Sequence, residues 1–329
     1  MNGVFFFLSG MIIAQKTISN NIIDRMVAKY FKFVPMVIGG GMTAYLVMQF
    51  GLTYHIRLME YSHAANYVQW ANEFEPSLLG ERGVLKDIFI MTFIDSSKYD
   101  SPLWFLAVLF WGTLIEESIE KSINDNKVRV LIYVMLYMVV TDMETVDWRV
   151  PYLGYIFAGA LIGHLDIVSF QKFKVSKWLS FLLFIVGIYI TAPSDFVGFY
   201  LPLRYLSTLG MHLKVIGIIL LVVSVSINTD LQKAFNTRIS QWLNKYSFGI
   251  YVFHWSFVIS VSCAVTYMLI VTYNLDYMIS GFVGIVSGLM ATLLCSVIYT
   301  EEIYKPLNKL FSAVINIIRI KLRKFCDGR

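Results

Sequence analysis

Apolar runs recur along this chain from end to end, and no hydrophilic stretch between them is long enough to fold alone. That pattern constrains the fold more than any motif does. Hydrophobic residues make up 57% of the 329, charged residues only 15%, and mean hydropathy is +0.64. A soluble globular core does not need so much apolar side chain. The expected fold is all-α: a polytopic transmembrane helix bundle over residues 1–304, then a basic tail over 305–329 that is partly an amphipathic helix.

Read in order, the first apolar stretch is 3–14, short for a span of about 20 residues. A basic loop carrying Lys16, Arg25, Lys29 and Lys32 is expected next, then a helix over 33–53 in which Gly39, Gly40 and Gly41 permit close helix approach. Residues 54–87 are polar and hold His55, Arg57, His63, Glu73, Glu75, Glu81 and Arg82. The apolar piece 88–94 is too short to span and reads as re-entrant or interfacial. Pro102, favourable in a first turn, opens a helix to about 117. Further helices are expected near 128–141, 150–165, 178–192, 207–227, 247–272 and 278–300, about nine spans in all.

The net charge of +5 is no nucleic-acid signal, because the basic residues lie in short clusters between apolar runs. Most of the 27 Lys and Arg fall in alternate loops: 16–32, 121–129, 172–177, 233–245 and the C-terminal segment from Lys305. Cytoplasmic loops carry such an excess, so these loops and the C-terminus are expected in the cytoplasm. With about nine spans, Met1 then falls outside, as though a further helix belonged in front of it. The three cysteines form no disulfide framework, and no metal-ligand spacing occurs, so no metal is expected.

His254 stands in a nearly apolar run, 246–259. An ionisable side chain in a bilayer is costly and marks a functional site, although a packing histidine bonded to a neighbouring helix is the plainer reading. Trp104, at the outer end of its helix, lines an acceptor site or belongs to the interfacial aromatic belt. Asp142, Glu144, Asp147 and Arg149 crowd one outer loop, where they bind a polar acceptor or are solvated. His55 and His63 read as solvated, and His164 and Asp166 as a capped and anchored helix end. Glu301 and Glu302 are placed at a helix end against its dipole, so pairing with Lys305 is expected.

Several stretches together resemble the acyltransferase 3 family, the bacterial integral-membrane O-acyltransferases. GVFFFLSGMII from Gly3 is similar to the family's "GV-x-x-FF-x-LSG" helix, and Lys29-Tyr-Phe-Lys32-Phe-Val-Pro35 to the basic segment and proline that follow it. SPLWFLAVL from Ser101 is similar to the "LWFL" helix start of one branch, YSFGIYVFH from Tyr246 to "SYGIYL-x-H", and YTEEIYKP from Tyr299 to the final "E-(R/K)-P". The resemblance covers essentially the whole chain. It also marks departures. The family begins with a helix bearing an Arg and a His regarded as catalytic, and this chain opens at the motif after that helix. The family's Arg-x-x-Arg stands here as Lys29-x-x-Lys32, which keeps charge but loses the bidentate fork. Leu109 stands where many members carry Glu.

The resemblance implies transfer of an acetyl group from acetyl-CoA to a hydroxyl of a cell-surface polysaccharide or its lipid-linked precursor, in the bacterial inner membrane. Such a reaction needs a general base and oxyanion donors. It implies a supporting role for His254, acceptor lining for Trp104, and cofactor binding by Arg25, Lys29 and Lys32, whose other reading is positive-inside anchoring. The expected partners are membrane lipids and the glycan acceptor. Rival readings are a non-catalytic remnant of the family, a transporter or flippase of envelope glycans, and a glycan polymerase. No internal repeat favours a transporter, and the modest, mixed-charge stretch 54–87 disfavours a polymerase.

Overall fold

The computed structural model describes residues 2–16, 18, 21–61, 83–94, 97–143, 146–165, 175–191 and 207–327. His63, Glu73, Glu75, Glu81, Arg82, Glu144, Asp166, Lys172, Lys174 and Arg204 lie outside them. The described residues contain helices and turns and no β-strand. In chain order the helices are α1 (Asn2–Ala14), α2 (Ile22–Gln49), α3 (Tyr54–Leu58), α4 (residues 84–94), α5 (Trp104–Ser122), α6 (Asn126–Thr141) and α7 (Pro151–His164). They continue as α8 (Lys177–Thr191), α9 (Ser207–Ile227), α10 (Thr229–Phe235), α11 (Arg238–Val271), α12 (Tyr277–Ile298) and α13 (Lys305–Asp327).

Each apolar segment expected to be helical is helical. Among the described residues five helices are long and apolar enough to cross a membrane: Ile22–Gln49, Ser101–Ser122, Gly210–Ile227, Arg238–Val271 and Tyr277–Ile317. Length and hydropathy alone therefore do not reach about nine spans. Several expected boundaries shift. Helix α2 starts at Ile22, so Arg25, Lys29 and Lys32 sit on helix and not in a loop. Their spacing of four and three places them on one helical face. Residues 299–304 do not end a helix; they form a π-helical turn between α12 and α13.

The chain packs as two units, Met1–Arg25 with Val108–Ser240, and Met26–Ala107 with Gln241–Arg329. In the first unit α1 lies directly on α7. A Cβ at Gly10 would collide with the Ile156 carbonyl, and one at Gly159 with the Phe7 carbonyl. Small residues thus let two backbones touch, the usual way helices associate where lipid removes a hydrophobic drive. This accounts for the final Gly of the GVFFFLSG stretch. Helix α8 of the same unit buries only Ser180 and Gly187 and turns its large apolar side chains outward.

In the second unit α12 shows the same inversion. Its buried residues are Ser280, Gly284, Gly288, Thr292 and Ser296, a repeat of four, while Met278 is 76% and Phe282 69% exposed. Thr292 and Ser296 donate their hydroxyls to carbonyls one turn back, so the buried face leaves these two satisfied. Small residues inward and bulky apolar ones outward suit a surface that meets hydrocarbon. The triple glycine of α2 packs as expected: Gly39 against Tyr299, Gly40 against Val252, and Gly41 against Ile88.

Candidate functional site

Each π-helical turn among the described residues belongs to the second unit: Asp87–Met91 in α4, Val258–Ser262 in α11, and Tyr299–Tyr304. Such bulges recur at functional sites because they re-aim side chains within a helix. Around them four of the sequence stretches singled out above meet, those holding Pro35, Pro102, Tyr251 and Tyr299. The Tyr251 hydroxyl donates to the Pro102 carbonyl, and its ring packs on Phe105 with centroids 5.1 Å apart. Tyr246 donates to Glu301 at 2.9 Å. Tyr299 donates to the Pro35 carbonyl at 2.5 Å and packs its ring on Phe253.

His254 sits on α11, half-buried, one turn after Tyr251. Its Nδ1 donates to the Tyr251 carbonyl, and the two rings lie 5.6 Å apart. A carbonyl accepts only, so Nδ1 carries the proton of the neutral imidazole and Nε2 carries the lone pair. Among the described residues Nε2 has no hydrogen-bond partner. A fixed tautomer with a free basic nitrogen is the arrangement a general base requires. Trp104 opens α5, half-buried beside Phe105 at 6.4 Å, and Tyr251 joins that turn to His254.

Two buried aspartates stand behind this turn. Asp87, in the π-turn of α4, accepts from Ser97 Oγ at 2.5 Å and from the Lys98 amide at 3.1 Å. Asp100 follows, and its carboxyl is fully enclosed. Burial, and then the nearby Asp87, hold the Asp100 carboxyl well above the usual carboxylate range. Neither aspartate stood out in the sequence. The cue the sequence offered was their position on either side of the short apolar piece 88–94 and its following Ser-Pro turn.

The first unit holds a separate polar cluster. Arg25 forks onto Glu117, with Nε–Oε2 at 2.8 Å and Nη2–Oε1 at 2.6 Å. Glu120 accepts from Tyr133 at 2.7 Å, pairs with His164 Nε2 at 2.7 Å, and meets Arg129 at 3.0 Å. His164 is therefore more than an anchored helix end: its ring stacks on Tyr133 and bonds a buried glutamate. The signal in the sequence is three glutamates near the end of one apolar helix, Glu116, Glu117 and Glu120. Bidentate pairing to Glu117 occupies the Arg25 guanidinium, whereas Lys32 is exposed. In the loop before α7, Asp147 and Arg149 pair at 2.5 Å, and this bond with Arg149 lowers the Asp147 pKa. Glu301 pairs with Lys245 as well as with Lys305, so the expected partner is joined by a second.

The acyltransferase 3 family model, described as an acyltransferase domain, matches residues 2–301. No curated protein and no solved structure matches the chain. The family match spans both units and takes in the residues whose contacts are described above, Lys305 excepted. With its lipid-suited helix faces and this match over nearly its full length, the chain belongs to the acyltransferase 3 family of membrane acyltransferases.

Proposed function

We propose that the protein transfers an acetyl group from acetyl-CoA to a hydroxyl of a cell-surface polysaccharide or of its lipid-linked precursor. The observation that supports this best is the tautomer of His254. With Nδ1–H held by the Tyr251 carbonyl, Nε2 is set to take the proton of an acceptor hydroxyl as that oxygen attacks the acyl carbon. The resulting imidazolium then returns the proton to the departing thiolate, which balances the transfer. Trp104, next to the Phe105 that packs on Tyr251, supplies an aromatic face for a sugar ring at that turn.

The donor carries phosphates, and the lysines of α2, Lys29 and Lys32, offer them positive charge on one helical face. Arg25 continues that face but is engaged by Glu117, so its contribution to the donor goes through the shape of α2. The protein is read as resident in the bacterial inner membrane with its C-terminus cytoplasmic, following the bias of its basic loops.

The test is deletion in the native strain, with envelope glycans compared by mass spectrometry and proton NMR. Loss of O-acetyl groups, restored by the wild-type gene and not by His254→Gln, is the expected result. Unchanged acetylation of every envelope glycan would overturn the reading, and accumulation of lipid-linked glycan on one side of the membrane would point to a flippase.

A further inference from the structure

The acyl-transfer reading leaves the carboxyl of Asp100 without a task. Its side chain is fully buried, and among the described residues neither Oδ1 nor Oδ2 has a hydrogen-bond partner. Its backbone is fully used by contrast: the amide donates to Ser97 Oγ at 2.9 Å, and the carbonyl accepts from the Leu103 amide at 3.0 Å. The turn is therefore built, and it presents a carboxyl for which the described residues supply no hydrogen-bond donor. Buried polar groups are nearly always bonded, so an orphan of this kind calls for a reason.

The surroundings say which form the carboxyl takes. Gly40 of α2 is close enough that a Cβ there would lie 3.3 Å from Oδ2. The titratable groups within electrostatic reach are Asp87 of α4 and Tyr251 of α11. Among the described residues no Lys, Arg or His faces it. A buried carboxylate without a donor or a counter-charge is strongly disfavoured, and a second acid nearby adds repulsion. Asp87 accepts from Ser97 and the Lys98 amide, and among the described residues Asp100 has no donor. Of the two, Asp100 keeps the proton. The Tyr251 phenol agrees with this, since it donates to the Pro102 carbonyl and not to Asp100. An ionised carboxylate within reach is the stronger acceptor and would draw the phenol away.

We propose that Asp100 is held as the neutral carboxylic acid and is a positioning residue, whose proton keeps the Tyr251 phenol on the Pro102 carbonyl and thereby keeps the Trp104 turn joined to His254. The positioning role rests on the acyl-transfer reading; the protonation of Asp100 does not. Loss of the proton to a solvent base would pull the phenol toward the carboxylate and release the turn that carries Trp104. Burial of Asp100 is compatible with this role because only a proton has to reach it.

Full-length wild type, Asp100→Asn, Tyr251→Phe and the double variant, purified in detergent, provide the test. Infrared difference spectra of wild type against Asp100→Asn at neutral pH, with carbon-13-labelled aspartate, should contain the carbonyl band of a protonated carboxyl that the variant lacks. A carboxylate band alone would overturn the proposal. Transfer from radiolabelled acetyl-CoA to an envelope-glycan extract of the parent strain is the second readout. Asparagine imitates the neutral acid, so Asp100→Asn should keep activity within about threefold at neutral pH and hold it at alkaline pH, where wild type declines. Tyr251→Phe should raise the acceptor KM about tenfold with kcat largely kept, and should abolish the alkaline gain of Asp100→Asn. A folded but inactive Asp100→Asn would overturn the role. If wild type transfers no acyl group, the acyl-transfer reading fails. The infrared spectra then still decide the proton, and a double-mutant cycle on thermal stability decides the coupling of Asp100 to Tyr251. Additive changes in that cycle would overturn it.

Discussion

A neutral imidazole has one N–H, and in His254 the Tyr251 carbonyl takes it. This leaves the basic nitrogen facing away from the helix's own backbone, and no second side chain competes for it among the described residues. Replacing His254 with Gln keeps a donor of similar reach and removes the base. A reduction in kcat of about 10²–10⁴-fold with unchanged expression is expected, measured as acetyl transfer per folded protein. A loss of less than threefold would make His254 a packing residue. Asp100 gives a sign that is checked without turnover. Its folded pKa is raised, so the native state holds a proton that the unfolded chain releases above the usual carboxylate pKa of about 4. Its stabilising linkage is therefore complete below that pH and is lost as pH rises toward the raised value. Asp100→Asn should flatten the fall in apparent melting temperature between acidic and alkaline buffer. An equally steep fall in the variant would assign the pH dependence to other groups. Glu120 lies at the opposite extreme, with Tyr133, His164 and Arg129 all on one carboxylate. Glu120→Leu removes the carboxylate shared by Tyr133, His164 and the partly buried Arg129, and a loss of about 3–5 kcal/mol is expected. Thermal or denaturant unfolding in detergent measures it.

At the scale of elements, glycine positions separate contact from composition. Gly10 of α1 and Gly281 of α12 both sit in apolar helices, yet a Cβ at Gly10 meets the Ile156 carbonyl, while one at Gly281 meets nothing within 4 Å. Gly10→Ala should push α1 off α7 and lower the melting temperature. Gly281→Ala should leave it unchanged or raise it, since alanine is favoured over glycine in a helix by about 1 kcal/mol. Equal effects of the two substitutions would contradict the backbone contact between α1 and α7. The sequence announced these elements well. Runs of apolar residues are a local property, so helices near 128–141, 150–165, 178–192, 207–227 and 278–300 were legible as they stand. Their ends were not, because a basic or acidic flank such as Arg25, Lys121 or Glu301 continues a helix as readily as it ends one. The site was half legible. His254 and Trp104 stand out by type within apolar surroundings, and Tyr251 brings their turns together. Asp87 and Asp100 acquire meaning only from the packing of α2, α4 and α11 around them, which no single stretch of sequence encodes.

At the scale of the whole molecule, two distributions should agree. Large apolar side chains face outward on α8 and α12, which places those faces against lipid. Basic residues gather in alternate connections, the bias from which the proposed orientation across that lipid is read. The second distribution is sharp enough to predict accessibility residue by residue. Cys326 belongs to the basic C-terminal segment, and Arg149 to the connection before α7 on the opposite set. With the two other cysteines replaced by serine, Cys326 should react with a membrane-impermeant maleimide only after spheroplasts are permeabilised. A cysteine placed at Trp148, exposed beside the Asp147–Arg149 pair, should react in intact spheroplasts. The proposed orientation would put Lys29 and Lys32 on the side of cytoplasmic acetyl-CoA and Trp104 on the side of the glycan. Labelling of both cysteines from one side would break that arrangement, and with it the assignment of donor and acceptor to opposite faces.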